Sequence, residues 1–291
     1  MSYDNHSRAF FRTREYNFLI VSFSYTEADI AELLSEFNDP HARESVELAA
    51  LPEMLDGASY FIDVGANAGQ YIFHAARHLR KARLVAIEAN PLLIPVLTRT
   101  IENLRSHGDA ANEYEIRAAA VSDIPGSLEF HISKYPTLSS VFPNGTAETV
   151  SVPTVGLDDF YRPSVRTLIK IDVEGSEYRA IRSAPRFLKS NHTAFFVELH
   201  SWGDRGIGKY PLHVCWLFLM HGYGLRKIGT HYFFYKTSRL KRTVLFLGQF
   251  PALSVKYLVC RYAAPLRPKL NRLQRRLAPL LVWRRPHQRN Y

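Results

Sequence analysis

The chain has 291 residues, 46% of them hydrophobic, with 37 Lys and Arg against 27 Asp and Glu for a formal net charge of +10. It can bury one sizeable core, or one core with an appended piece. Cys215 and Cys260 are its only cysteines, too few for a disulfide framework and without metal spacing, which excludes a stapled secreted scaffold and points to a reducing compartment. The first residues lack the basic start, apolar stretch and cleavage site of a secretory signal. The nearest thing to a membrane span, residues 243–255, contains Gly248 and Pro251 and falls short of the ~20 residues needed. A cytoplasmic protein is expected, with no signal peptide and no transmembrane helix.

In chain order, Thr26-Glu-Ala-Asp29 reads as a capping box that starts a helix with Ile30, Leu33, Leu34 and Phe37 on one face. A second helical stretch from about residue 43 ends at Gly57, and these helices would cover a sheet. An apolar strand around Phe61, a helix from Gln70 and a second strand over residues 83–88 make a βαβ unit. A helix from Pro91, a strand at 114–121 and β-rich sequence at 127–155 follow, with turn signals at Asp123-Ile-Pro-Gly126 and Pro143-Asn-Gly145. The fourth strand is 167–173 and the fifth 194–199, each followed by helical sequence, and paired strands near Leu225 and at 232–235 close the domain. The expected division is 1–57 as a helical cover, 58–237 as the α/β domain and 238–291 as a basic extension.

The segment Phe61-Ile-Asp-Val-Gly-Ala-Asn-Ala-Gly-Gln-Tyr71 carries the chemistry. A strand ending in Asp-x-Gly brings a carboxylate and bare backbone to the carboxyl edge of a sheet, where open α/β folds bind ligands. Gly65 and Gly69 are separated by three residues, unlike the G-x-G-x-x-G spacing that cradles a pyrophosphate. That favours S-adenosylmethionine. Glu88, ending the second strand beside Gly65, can accept both hydroxyls of a ribose.

Asp63-Val-Gly-Ala-Asn-Ala-Gly69, Ile87-Glu-Ala-Asn-Pro91, Ala119-Ala-Val-Ser-Asp123, Leu157-Asp-Asp-Phe160 and Ile169-Lys-Ile-Asp-Val-Glu-Gly-Ser-Glu177, in that order, resemble the FkbM family of S-adenosylmethionine-dependent methyltransferases. The resemblance covers about residues 55–200. It implies a class I methyltransferase fold, a Rossmann-like, mainly parallel sheet flanked by helices. It also implies S-adenosylmethionine as methyl donor and usually oxygen as acceptor. Asp63, Gly65, Asn67, Gly69, Tyr71, Glu88, Ser122 and Asp172 are the expected donor-binding residues.

Methyl transfer needs an acceptor oxygen held near the methyl carbon and a group to take its proton. Asp172, Glu174, Glu198 and His200 gather after the fourth and fifth strands, with Lys170 on the same face as Asp172. His200 is the expected general base, with Asp172 as the alternative base and Glu198 as a further catalytic residue. The same groups are suitable for a divalent metal, although none is expected to be needed. The polar loop Thr137-Leu-Ser-Ser140 can donate hydrogen bonds to substrate or donor, or be an ordinary turn.

No acidic residue follows Asp204. The clusters Arg239-Leu-Lys-Arg242, Arg272-Leu-Gln-Arg-Arg276 and Trp283-Arg-Arg285 alternate with large apolar residues, a texture suited to an anionic membrane surface. The expectation is O-methylation of a glycan or other small polar metabolite, with residues 239–291 as a peripheral membrane contact. Two alternatives are a nucleic-acid methyltransferase that grips phosphates with the basic segment, and an inactive membrane-associated binding module. Nucleic acid accounts less well for the leucines and valines.

Overall fold

The computed structural model describes residues 9–13, 16–21, 44–107, 111–133, 148–200 and 211–258, with single positions at 26, 28, 31, 34, 35, 139 and 141. The capping-box helix predicted from Thr26 falls mainly outside the described residues. Upstream of it, Ala9–Thr13 (β1) and Tyr16–Val21 (β2) pair antiparallel as a hairpin. The start of the chain is therefore not purely helical as predicted: Phe10, Phe11, Phe18, Ile20 and Val21 are aromatic and β-branched, types that favour a pleated strand.

A seven-stranded sheet forms the centre, in the order β11-β12-β10-β9-β3-β4-β5. Its strands are Tyr60–Val64 (β3), Arg83–Glu88 (β4), Glu113–Ala118 (β5), Thr167–Ile171 (β9), Thr193–Glu198 (β10), Tyr223–Ile228 (β11) and His231–Lys236 (β12). Neighbours from β10 to β5 run parallel, while β12 inserts antiparallel between β10 and β11. This strand order is that of a class I methyltransferase. Strand order reverses at β3, which pairs with β4 on one side and β9 on the other, and the carboxyl ends of these strands form the crevice where such sheets bind ligands. A smaller sheet of Ala120–Val121 (β6), Glu148–Val155 (β8) and Ser127–Ile132 (β7) follows β5.

Both faces of the large sheet are covered, so its central strands are buried throughout. On one face Ser45–Met54 (α1), Gln70–His78 (α2) and Ile94–His107 (α3) enclose Phe61, Leu84, Leu168 and Phe196. On the other, Glu177–Arg182 (α4), Pro185–Lys189 (α5) and Pro211–Met220 (α6) pack over Ile62, Val64, Ile169, Ile171 and Phe195. The charged residues within the two central strands are Asp63 and Lys170, which face each other in register on β3 and β9.

The predicted boundary at 237/238 does not separate an independent tail. Arg239–Leu258 (α7) lies on α6 and β11, with Phe246 and Leu253 buried in the same core as Phe218 and Tyr223. The two buried positions are seven residues apart, one face of a helix, so this first part of the basic segment folds as a layer of the domain.

Candidate active site

The loop after β3 is shaped by its own backbone. Gly65 has φ of 77°, and a Cβ there would run into the Asp172 carbonyl oxygen, so both the conformation and the close approach of β9 demand glycine. Gly65 and Ala66 N–H donate to the Ile87 carbonyl at 2.9 and 3.1 Å. Asn67 takes a left-handed φ of 51°, and its Oδ1 accepts the Ala68 N–H at 2.7 Å. Gly69, at φ 94°, caps α2, and a Cβ there would press on Leu97 and Thr100 of α3.

Glu88 clamps this loop. One carboxylate oxygen accepts the Asn67 N–H and the other the Asn90 N–H, each at 2.7 Å. Burial raises its pKa, with the Asn90 and Asn67 hydrogen bonds opposing. Each oxygen keeps a second lone pair for a ribose hydroxyl. Ser139 joins the wall, its Oγ accepting the Ser133 N–H at 3.1 Å and lying 3.3 Å from Asn90 Nδ2; Thr137 and Ser140 lie outside the described residues. Ser122 is buried just beyond β6, with its hydroxyl accepting the Ile124 N–H at 3.1 Å, a turn contact that leaves its donor capacity open.

Under the loop, Lys170 joins two acids. Its Nζ is 3.5 Å from Asp63 Oδ1 and 3.4 Å from Asp172 Oδ2, donates to the Gly65 carbonyl at 3.3 Å, and sits 4.7 Å from the centre of the Tyr71 ring. Burial pushes the Asp63 carboxyl up to about 7 even with Lys170 beside it. For Lys170 burial acts the other way and loses, because Asp63 and Asp172 hold the ammonium above its ordinary value. Neither Asp63 oxygen accepts a hydrogen bond within the described residues. Tyr71 is buried on α2 between Lys170 and the rings of Phe196 and His231, so it forms the floor of this region.

The strand ends beyond Asp172 converge on His200. Its Nδ1 is 2.7 Å from Glu177 Oε1, and its Nε2 lies 3.5 Å from Glu174, 3.8 Å from Glu198 and 3.9 Å from Asp172 carboxylate oxygens. Burial alone would lower the imidazole pKa, but the Glu177 carboxylate, with Asp172 and Glu174, pushes it up to about 10. Such a rise favours the protonated ring, which has no free lone pair, and so weighs against the expected role of His200 as general base. Its neighbours move the opposite way. Burial pushes Glu174 up to about 7 against the pull of His200, and it raises Glu198 as well. Glu174 also holds a left-handed φ of 50°, an uncommon conformation for a residue with a side chain.

The structure thus brings Asp172, Glu198 and His200 together, and gathers Asp63, Gly65, Asn67, Gly69 and Glu88 around the β3 loop. Sequence reasoning missed two residues of this edge, Glu177 and His231. Glu177 stands in the first turn of α4, where an acid after Ser176 is a visible signal. His231 begins β12 directly opposite Glu198.

S-adenosylmethionine carries a sulfonium, an ammonium and a ribose. A bare glycine backbone, a buried Asp63 carboxylate that accepts no hydrogen bond among the described residues and spare acceptor capacity on Glu88 fit all three. Residues 63–226 match the family described as Methyltransferase FkbM domain. No curated protein matches the chain. Among solved structures, an SAH-bound methyltransferase from Podospora anserina is similar over 74% of this chain and 91% of its own, with 11% identity and a TM-score of 0.40. A putative O-methyltransferase from Klebsiella pneumoniae (13% identity, 73% and 91% coverage, TM-score 0.36) and a putative RNA methyltransferase from Pyrococcus horikoshii (13%, 72% and 98%, 0.35) are also similar. These scores are low, and it is the strand order and the family match that define the class. The chain belongs to the FkbM methyltransferase family, and S-adenosylmethionine is its methyl donor.

Proposed function

We propose that the protein methylates a hydroxyl oxygen on a glycan or other polar metabolite presented at an anionic membrane surface. The observation that supports an oxygen acceptor is the ring of carboxylates around His200, since an alcohol must lose its proton as it is methylated and these are proton acceptors. S-adenosylmethionine supplies an electrophilic methyl group when bound. Asp63, Gly65, Asn67, Gly69 and Glu88 hold its amino-acid and ribose ends, with Ser122 on the adjoining wall. Lys170 fixes Asp172, and the His200 imidazolium holds Asp172, Glu174 and Glu198 in one cluster despite their mutual repulsion. His200 is then a positioning cation, and the proton passes to a carboxylate of that cluster.

Helix α7 supports the membrane part. Leu240, Val244 and Leu247 are 77%, 60% and 61% exposed and recur at helical spacing opposite the buried Phe246 and Leu253, with exposed Arg239 and Lys241 flanking the stripe. Trp216 and Met220 of α6 are also exposed. An apolar stripe edged by cations, in a region without acids, is the pattern of a helix lying in an anionic interface. No helix among the described residues is long and apolar enough to cross a membrane.

The deciding experiment incubates full-length protein and labelled donor with soluble glycans, anionic vesicles carrying glycolipid, and RNA. Label on a hydroxyl of the glycan or glycolipid fraction is expected, as is vesicle binding that falls with salt and with Leu240→Ser, Val244→Ser and Leu247→Ser combined. Label on RNA or on nitrogen overturns the acceptor assignment, and vesicle binding unchanged by the triple substitution overturns the role of α7.

A further inference from the structure

Three neighbouring strands end in a row of metal-ligand types. Glu198 at the end of β10 faces His231 at the start of β12, and Asp172 directly follows the last paired residue of β9, where Ile171 is in register with Val197. Cross-strand neighbours on one face stand about 5 Å apart. Here one ring nitrogen of His231 and one carboxylate oxygen each of Asp172 and Glu198 all lie within 4.8 Å of one another.

The His231 ring is held in one orientation. It is fully buried, stacked on Phe196 at 4.6 Å, with Nδ1 3.1 Å from Thr230 Oγ1 and 3.7 Å from Glu47 Oε1. Facing a carboxylate, Nδ1 carries the proton, which leaves a lone pair on Nε2. That nitrogen has no hydrogen-bond partner among the described residues, and neither does the buried Asp172 Oδ1. A buried lone pair facing carboxylates, which themselves offer only lone pairs, is a cost that a cation between them removes. A carboxylate behind a histidine, orienting the ring through its other nitrogen, is also the usual support of a metal-bound imidazole.

We propose that Asp172, Glu198 and His231 bind one divalent first-row cation, Mn2+ or Zn2+. One imidazole among carboxylates suits these ions better than the all-oxygen ligation that Ca2+ and Mg2+ take. Three protein ligands leave coordination positions open, and two of them, Asp172 and Glu198, belong to the carboxylate cluster around His200, where a cation can polarise an acceptor hydroxyl. The proposed role, though not the binding, rests on the hydroxyl-methylation reading above.

The test strips full-length protein with EDTA and titrates it with Mn2+ alone, following free Mn2+ by electron paramagnetic resonance and heat by calorimetry. One site is expected, with Zn2+ competing for it. His231→Asn keeps a polar atom near Nδ1 and removes Nε2, and Glu198→Gln removes a charged ligand at constant size; each should weaken Mn2+ binding by at least ~10-fold. S-adenosylhomocysteine affinity, measured in the same metal-free samples, reports that the fold and donor loop persist, and Glu198→Gln decides the matter if His231→Asn does not fold. Wild-type protein that binds neither ion at millimolar concentration, or variants that bind Mn2+ like wild type, overturn the proposal. Donor binding without metal binding sinks only this inference, whereas Mn2+ binding without methyl transfer to any hydroxyl sinks the acceptor assignment and leaves the cation site.

Discussion

His200 is an imidazole whose surroundings reverse its usual chemistry. An exposed histidine gives up its proton near pH 6.5; this one, with Glu177 hydrogen-bonded to Nδ1 and three more carboxylates beyond Nε2, holds it to about 10. The folded state binds that proton more tightly than the unfolded chain. The resulting stabilisation is complete below pH ~6.5, declines as pH rises and is gone above about 10. In metal-free buffer, wild type should therefore exceed His200→Asn in melting temperature by the most near pH 6, and the gap should close by about pH 10.5. A gap independent of pH would mean that the ring is neutral when folded, and would restore His200 as a candidate base.

At the scale of elements, Glu47 joins α1 to the turn before β12. Its Oε1 accepts the Thr230 N–H at 2.6 Å and lies 3.0 Å from Thr230 Oγ1, filling the space that a Cβ on Gly229 would need. Burial would raise the Glu47 pKa, but the His231 ring and the Thr230 hydrogen bonds outweigh it and bring the carboxyl down to about 2. Its stabilisation is present above pH ~4.5 and lost as pH falls towards 2. Glu47→Gln should lose ~2 kcal/mol at pH 7, a drop of ~4–8 °C in melting temperature, with the difference from wild type shrinking below pH 4.5. An unchanged melt would show that the turn holds without the acid. The strands around the donor loop were legible from sequence because each is a short apolar run stopped by an acid or glycine. Glu47 and His231 were not, since the turn contact spans 183 residues and no local periodicity links them. The place of His200 at the end of the fifth strand was legible, but the number of carboxylates around it was not, because Glu177 reaches it only through the fold. The basic segment was read by its charges, which concealed the helical spacing of Phe246 and Leu253.

The whole molecule depends on α7. Phe246 and Leu253 complete the core over β11 and β12, so removing everything after Lys236 should abolish a cooperative melt, whereas ending the chain after Leu258 should retain one. Leu253→Ala, which empties a fully buried position, should cost ~2–5 kcal/mol. If the chain ending at Lys236 melts cooperatively and binds donor, α7 is an accessory to the fold and serves the surface alone.

The place of β12 in the sheet also sets the order in which the domain is completed. A nascent chain leaving the ribosome has its donor loop and Glu88 early, and Asp172 soon after, yet β10 has an open edge and His231 is missing until β12 inserts between β10 and β11. During that interval Phe195, Phe196 and Val197 sit on a strand paired only to β9, with its other edge open to pairing with other chains. Synthesis thus makes the donor loop first and the strand that carries His231 last, and a chain terminated before β12 would expose the open edge of β10.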